Sequence, residues 1–411
     1  MIGFAAMIGP SYPGWNAGSN RGSKRGSSLM LHGTTGPMPA PSGILDGMTL
    51  TRRISKNAPV IVPVIGAIAL VAGWDRELPV IAVIIIAIIL GATVLAAVHH
   101  AEVIAHRVGE PYGSLILAIA VTVIEVALII TLVLSGGEAT ATLARDTVFA
   151  AVMITTNGIV GISLLVGSLK HGIVRFNAEG AGALLATVTA LAVLTLVLPT
   201  FTSAPGPQFT PSQLVFAAVA SLALYAMFVA TQTRVHRDFF LPVGVDDPTT
   251  TADDHADLPS NRTTLLSLGM LVLALVAVVG LAKIESPSIE AGVEAVGFPP
   301  SFVGVVIALL VLLPESIAAV RAARRDRIQT SLNLALGSAM ASIGLTIPAI
   351  AAASIFISGP LLLGLGDTQI VLLVLTVVVS ILTLAPGRAT RLQGGVHLVL
   401  FGAFIFLSIA P

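Results

Sequence analysis

Two glutamates stand alone in apolar runs long enough to lie in lipid. Glu125 is the single charge of Gly113–Leu128, GSLILAIAVTVIEVAL. Glu315 opens the polar half of Val303–Ser342, VGVVIALLVLLPESIAAVRAARRDRIQTSLNLALGSAMAS, directly after Pro314. A charge at such a depth costs roughly 2.5–3.5 kcal/mol on insertion scales. Pro314 lacks an N–H and frees a carbonyl one turn back. One costly carboxylate in each of two similar segments points to a single ion site built from a duplicated unit.

Two carboxylates facing each other would form a hard-oxygen site, suited to Ca²⁺, Na⁺ or protons rather than soft metals. Thr155, Asn157, Ser338 and Ser342, with carbonyls freed near Pro314, supply neutral oxygens to complete a shell. The same carboxylates can be protonated instead, because burial disfavours an uncompensated charge. Competition between cation and proton for one pair of groups couples their movements. Two negative charges balance one Ca²⁺ or two protons. The plainer alternative is that each glutamate hydrogen-bonds a neighbouring helix, although intramembrane acids are functional by default. Gly158, Gly161, Gly337, Ala339 and Ala341 fit close helix packing as well as they fit a site.

A second cluster is HHAEVIAHRVGEP, His99–Pro111. On a helix His99, Glu102 and His106 share one face. They read either as a pH sensor or cation vestibule, or as an amphipathic connector at the interface. There is no HExxH pattern to support a zinc site. The run Val235–Arg262 carries Asp238, Asp246, Asp247, Asp253, Asp254 and Asp257. It lacks the glycine and terminal glutamate of an EF-hand loop and reads as a solvated linker.

These residues must be positioned by membrane helices. Of 411 residues 55% are hydrophobic and only 10% charged, against about 25% charged in soluble domains, and mean hydropathy is +0.97. The fold class is therefore all-α, polytopic and membrane-embedded. The absence of cysteine excludes disulfides and thiol chemistry, and a net charge of zero leaves nucleic acid without support. The partners implied are the bilayer, inorganic cations and protons, with no cofactor; oligomeric state is left open.

Eleven apolar segments are expected near 58–74, 78–98, 113–135, 147–168, 179–200, 213–232, 264–283, 302–320, 331–357, 368–385 and 394–410. The segment at 331–357 contains Pro348, which would tilt or break it. With the N-terminus in the cytosol, eighteen of the 21 Lys and Arg lie on the cytosolic side. Only Arg76, Arg145 and Lys283 remain outside, a strong positive-inside bias that also puts the C-terminus outside. The Gly-, Ser- and Pro-rich start implies a disordered cytosolic tail over 1–57, with a second reading in which translation starts at Met48.

The first span, 58–77, stands apart. The acidic loop, 233–263, separates five spans at 78–232 from five at 264–411. Five is odd, so two copies of a five-span unit lie in opposite orientations, the inverted-repeat plan of secondary transporters. Glu125 and Glu315 each fall in the second span of their half. Arg145-Asp146 and Arg325-Asp326 follow them as charged turns, and at an offset of 180 Asp146 meets Asp326 and Asn157 meets Gly337.

The runs HHAEVIAHRVGEPYGSLILAIAVTVIEVALI and LLPESIAAVRAARRDRIQTSLNLALGSAMASIGLTIPA resemble the two alpha-repeats of the cation/Ca²⁺ exchanger superfamily. Within it they are most similar to the bacterial ChaA-type Ca²⁺/H⁺ and Na⁺/H⁺ antiporters. The resemblance covers the chain from about Met48. It implies a secondary transporter rather than an enzyme, with alternating access to a central site, Glu125 and Glu315 as its acids, and Asn157 and Ser338 lining it. Many members carry Gly-Asn-x-x-Glu. Here the stretches are Val121-Thr122-Val123-Ile124-Glu125 and Val311-Leu312-Leu313-Pro314-Glu315, so only the Pro-Glu of the second copy follows the wider pattern. The lost asparagine oxygens leave the choice between Ca²⁺ and a monovalent ion open. Ca²⁺ export against inward protons is the leading expectation, with Na⁺ or K⁺ exchange on the same scaffold next. A passive channel is disfavoured by the internal repeat, and a hydrolase or transferase by the lack of a nucleophile-base pair.

Overall fold

Runs of Val, Ile, Leu and Ala without charge leave one way to satisfy every backbone hydrogen bond inside lipid, and the chain takes it. The computed structural model describes residues 42–76, 78–109, 112–136, 141–242, 258–355 and 360–411. Its elements are α1 (Ser42–Gly73), α2 (Val80–Val108) and α3 (Tyr112–Gly136). Next α4 (Leu143–Met153) runs through a π turn (Ile154–Ile159) into α5 (Val160–His171). Strand β1 (Val174–Arg175) leads to α6 (Ala178–Ala192) and α7 (Pro211–Ala230). The second half holds α8 (Asn261–Ala295), α9 (Phe302–Val311), α10 (Leu313–Arg324), α11 (Ile328–Ala353), α12 (Asp367–Leu384), β2 (Arg388–Ala389) and α13 (Arg391–Ile409).

Among the described residues eight helices are long and apolar enough to cross a membrane, or nine if the bent pair α9–α10 is one span. The other two expected segments coincide with shorter apolar helices, Asn57–Gly73 and Ile119–Thr131. Helix α1 starts at Ser42, within the stretch expected as a tail. Most of the acidic loop, with Asp246, Asp247, Asp253, Asp254 and Asp257, lies outside the described residues. Pro348 does not break α11, which is helical on both sides of it.

The two most enclosed of the eight spans are Leu143–His171 and Ile328–Ala353, with 89% and 61% of their apolar windows buried. Each is the third span of its half, following the helix that carries a glutamate. The duplicated plan thus appears as two central helices with the others packed around them.

Contacts between loops divide the molecule into two faces. On one, Arg107 Nη2 donates to Asn261 Oδ1 at 2.6 Å, and Lys170 Nζ donates to the Arg324 carbonyl at 2.8 Å. There too β1 pairs antiparallel with β2, and Asn333 Nδ2 donates to the Phe240 carbonyl at 2.7 Å. On the other, Leu362 N donates to Ala141 O and Gly364 N to Pro207 O. Arg145 Nη1 reaches Gly364 O at 3.3 Å, and Lys283 lies 4.7 Å from the Trp74 ring centroid. The first set joins only segments expected on one side of the membrane, and the second only segments expected on the other.

The matched aspartates differ in their work. Asp326 is exposed with φ 61° and closes the turn before α11. Asp146 is buried in the first turn of α4, and its Oδ1 accepts from Arg145 Nε at 2.8 Å. Helix α4 packs on α9 at Gly304, where an added Cβ would lie 2.8 Å from Thr147 N and 2.9 Å from the Asp146 carbonyl carbon. Both neighbours are backbone and cannot turn aside. Gly304→Ala is expected to cost about 1–3 kcal/mol, read as a lowered unfolding midpoint of the purified protein in detergent; an unchanged midpoint would contradict this packing.

Candidate cation-binding site

Helix α3 is apolar and unbroken, and it presents Glu125 to α11 in a site where the side chain is 3% exposed. The hydroxyl of Ser342, on α11 and itself buried, donates to Glu125 Oε2 at 2.6 Å. This bond ties the acid of the first half to the central helix of the second.

The helix carrying Glu315 is built differently. Leu312 breaks the span with φ −84° and ψ 0°, and α9 and α10 meet at a 54° bend. Pro314 is the second residue of α10, a position where a missing N–H costs little. Glu315 then falls in the first turn of α10, where the positive end of the helix dipole favours an anion. The Leu312 carbonyl accepts from Ser316 N at 2.9 Å and from Ser316 Oγ at 2.7 Å. A discontinuous helix whose N-terminus points at the ion site is a recurrent device in secondary transporters.

Ser342 links the two acids: its hydroxyl bonds Glu125, and it lines the same cavity as Glu315. Glu125 Oε1 and Glu315 Oε2 are both buried without a hydrogen-bond partner. Each acid therefore keeps one oxygen for something the protein itself does not supply. A cavity of about 380 Å³ is lined by Thr122, Glu315, Ser338 and Ser342, and extends to Arg237, Phe240 and Pro242. Tyr225, Gln232 and Thr233 supply further polar atoms to its wall. The arrangement can hold a small cation between carboxylate and hydroxyl oxygens and give it access from one face.

The expected residues divide into two groups. Glu315, Ser338 and Ser342 line the cavity and Glu125 stands behind Ser342, with Pro314 starting the helix that delivers Glu315. Thr155 and Asn157 do not join them. The Thr155 hydroxyl donates to the Ala151 and Val152 carbonyls at 2.7 and 2.9 Å, and Asn157 bonds to Thr376 and His397. Both residues lie in the π turn.

His99, Glu102 and His106 share an exposed face, as their spacing predicts. Glu102 has Arg321 as its charged neighbour. The buried histidine of that cluster is His100, whose Nε2 bonds the Pro59 carbonyl at 2.9 Å. Pro63, four residues on, cannot donate to that carbonyl, so His100 replaces the missing partner. Sequence reasoning missed this role and also missed Thr122 and His397. Thr122 lies one helical turn before Glu125, which is a usable signal; His397 is the lone titratable group within the apolar last span, also a signal.

These features define a membrane-embedded secondary antiporter, and the chain belongs to the sodium/calcium exchanger protein family, which it matches over residues 77–234 and 266–410. It is thus a member of the cation/Ca²⁺ exchanger superfamily and not an enzyme. It is 45% identical over 355 residues to the putative ionic transporter y4hA of Sinorhizobium fredii, covering 85% of this chain and 95% of that one. It is 34% identical over 358 residues to the sodium-potassium/proton antiporter ChaA of Escherichia coli, covering 86% and 97%. The fold is shared with native YfkE, at TM-score 0.64 and 17% identity over 86% of this chain and 100% of the other. It is also shared with the H⁺/Ca²⁺ exchanger CAX, at TM-score 0.63 and 16% identity over 87% and 88%.

The Ser342–Glu125 bond generates a prediction. A hydroxyl donating to a carboxylate supports its charged form by about 1.5–3 kcal/mol. Ser342→Ala should therefore let protons compete better and lower apparent cation affinity about ten-fold, most at acidic pH. Cation titrations of purified protein across pH measure this; an affinity equal to wild type at every pH would contradict it.

Proposed function

We propose that this protein is a cation/proton antiporter in which Glu125 and Glu315 together hold either protons or the cation, alternately exposed to the two sides of a bacterial plasma membrane. The observation that carries the reading is the pair itself: one acid from each half of the chain, Glu125 buried and Glu315 half-buried, each with a buried oxygen that has no partner, Glu315 lining a cavity that reaches one face and Glu125 bonded to Ser342 of that cavity's wall. Neutralising such acids requires protons or a positive ion. No resident cofactor takes part; Ca²⁺, Na⁺ or K⁺ and H⁺ are cargo. Ca²⁺ fits the two charges. The N-terminus faces the cytosol and the C-terminus the outside, on the positive-inside distribution of Lys and Arg. The five-span halves at 78–232 and 264–411 rock against each other, with the first span outside the repeat. His99, Glu102 and His106 make a pH sensor or cation vestibule, with Arg321 the charged neighbour of Glu102.

A second reading takes Na⁺ or K⁺ as the cargo. Two observations favour it: ChaA of Escherichia coli carries the name sodium-potassium/proton antiporter, and the Asn157 oxygen is engaged away from the cavity. Ca²⁺ demands six to eight oxygens, whereas a monovalent ion accepts fewer protein ligands. The more distant Ca²⁺/H⁺ antiporter of Aphanothece halophytica, at 22% identity over 325 residues, supports the first reading.

In inverted membrane vesicles energised by a pH gradient, adding the transported cation should dissipate the gradient. Glu125→Gln and Glu315→Gln should each abolish that response while the protein still inserts at wild-type levels. Exchange at the wild-type rate in either variant would sink the assignment. Adding Ca²⁺, Na⁺ and K⁺ in turn distinguishes the two readings.

A further inference from the structure

Away from the cavity lies a chain of buried polar groups that the exchange mechanism above does not use. Asn157 and His397 are both fully buried. The Thr383 hydroxyl, on α12, lies 3.1 Å from His397 Nε2, and His397 Nδ1, on α13, lies 3.1 Å from Asn157 Oδ1. Asn157 Nδ2 donates to Thr376 Oγ1, also on α12, at 2.9 Å, and Thr376 Oγ1 donates to Met153 Sδ at 3.6 Å. One set of proton positions satisfies the whole chain. The amide of Asn157 must keep its nitrogen toward Thr376, so its oxygen accepts from Nδ1–H and Nε2 accepts from Thr383.

The π turn bearing Asn157 packs against α10 and α11 on one side and against α12 and α13 on the other. The first pair carries Glu315 and Ser342; the second carries the partners that Asn157 has chosen. His397 is held close by the backbone: a Cβ on Gly161 would lie 3.0 Å from His397 Cβ, and one on Gly394 would lie 2.6 Å from Leu165 N. Helix α13 therefore sits hard against α5, with the imidazole fixed beside the π turn.

We propose that His397 is a specificity-determining positioning residue: its bond to the Asn157 side-chain oxygen withholds a neutral ligand from the cation site. The site that remains is two carboxylates and a few hydroxyls. Such a shell is short for Ca²⁺, which draws on six to eight oxygens, and sufficient for a smaller set of ligands around a monovalent ion. Released from His397, the Asn157 amide can turn toward α10 and α11 and add an oxygen to the shell.

The inference rests on the Glu125–Glu315 reading, and the experiment separates the two. Apparent affinities for Ca²⁺, Na⁺ and K⁺ are measured by pH-gradient dissipation in inverted vesicles. If wild type shows no cation-dependent dissipation, the exchange reading itself fails, and this one with it. With wild type active, His397→Leu should raise the preference for Ca²⁺ over Na⁺ and K⁺ about five-fold, as one added oxygen favours the ion with the larger shell. Adding Asn157→Leu to that variant should restore the wild-type preference. His397→Gln, whose amide can donate to Asn157, should stay near wild type. The single variant Asn157→Leu should also keep the wild-type preference, and it decides the question should His397→Leu fail to insert. A wild-type preference in inserted, active His397→Leu would overturn the proposal. So would a shifted preference in Asn157→Leu alone, since that would make Asn157 a ligand already.

Discussion

Glu125 sits in an apolar helix and Glu315 at the bend where an apolar helix meets a polar one, and an isolated negative charge at such a depth costs several kcal/mol. That cost constrains everything around them. Each acid must carry a proton, receive hydrogen bonds or stand beside a cation, and the structure supplies only part of what a charged pair needs. Ser342 gives Glu125 one bond. The first turn of α10 gives Glu315 its helix dipole. One oxygen on each acid is left for the exchanged species. A site left partly satisfied in this way has a reason to pick up protons on one side and a cation on the other.

The two halves meet this constraint with different local devices. In the second half the proline and the 54° bend break the helix at the acid itself. In the first, the acid lies on a continuous helix, and the irregularity has moved to the following span as a π turn. The two central spans are the most enclosed of the eight among the described residues. Inversion of a duplicated unit thus constrains position, while the backbone defects that expose or withdraw ligands differ between copies.

Much of this was legible in the residues. A lone glutamate in an apolar run is unmistakable because few other features pay so high an energetic cost, and the all-α membrane-embedded class followed from composition. Ser338 and Ser342, four apart on one helix, were also readable as neighbours of the site. The fate of Asn157 was not. A π turn is a single extra residue without a compositional mark, and the partners of Asn157 lie 219 and 240 residues away. His100 was hidden for a similar reason: its role depends on the carbonyl freed by Pro63 in another helix.

Exchange in this protein requires cation and proton to compete for the same two carboxylates. Its most direct test is the proton release that accompanies cation binding to purified, weakly buffered protein. Adding the preferred cation should acidify the solution, and Glu125→Gln combined with Glu315→Gln should remove the signal. Cation binding of undiminished affinity with no proton released, at any pH where the acids titrate, would contradict it.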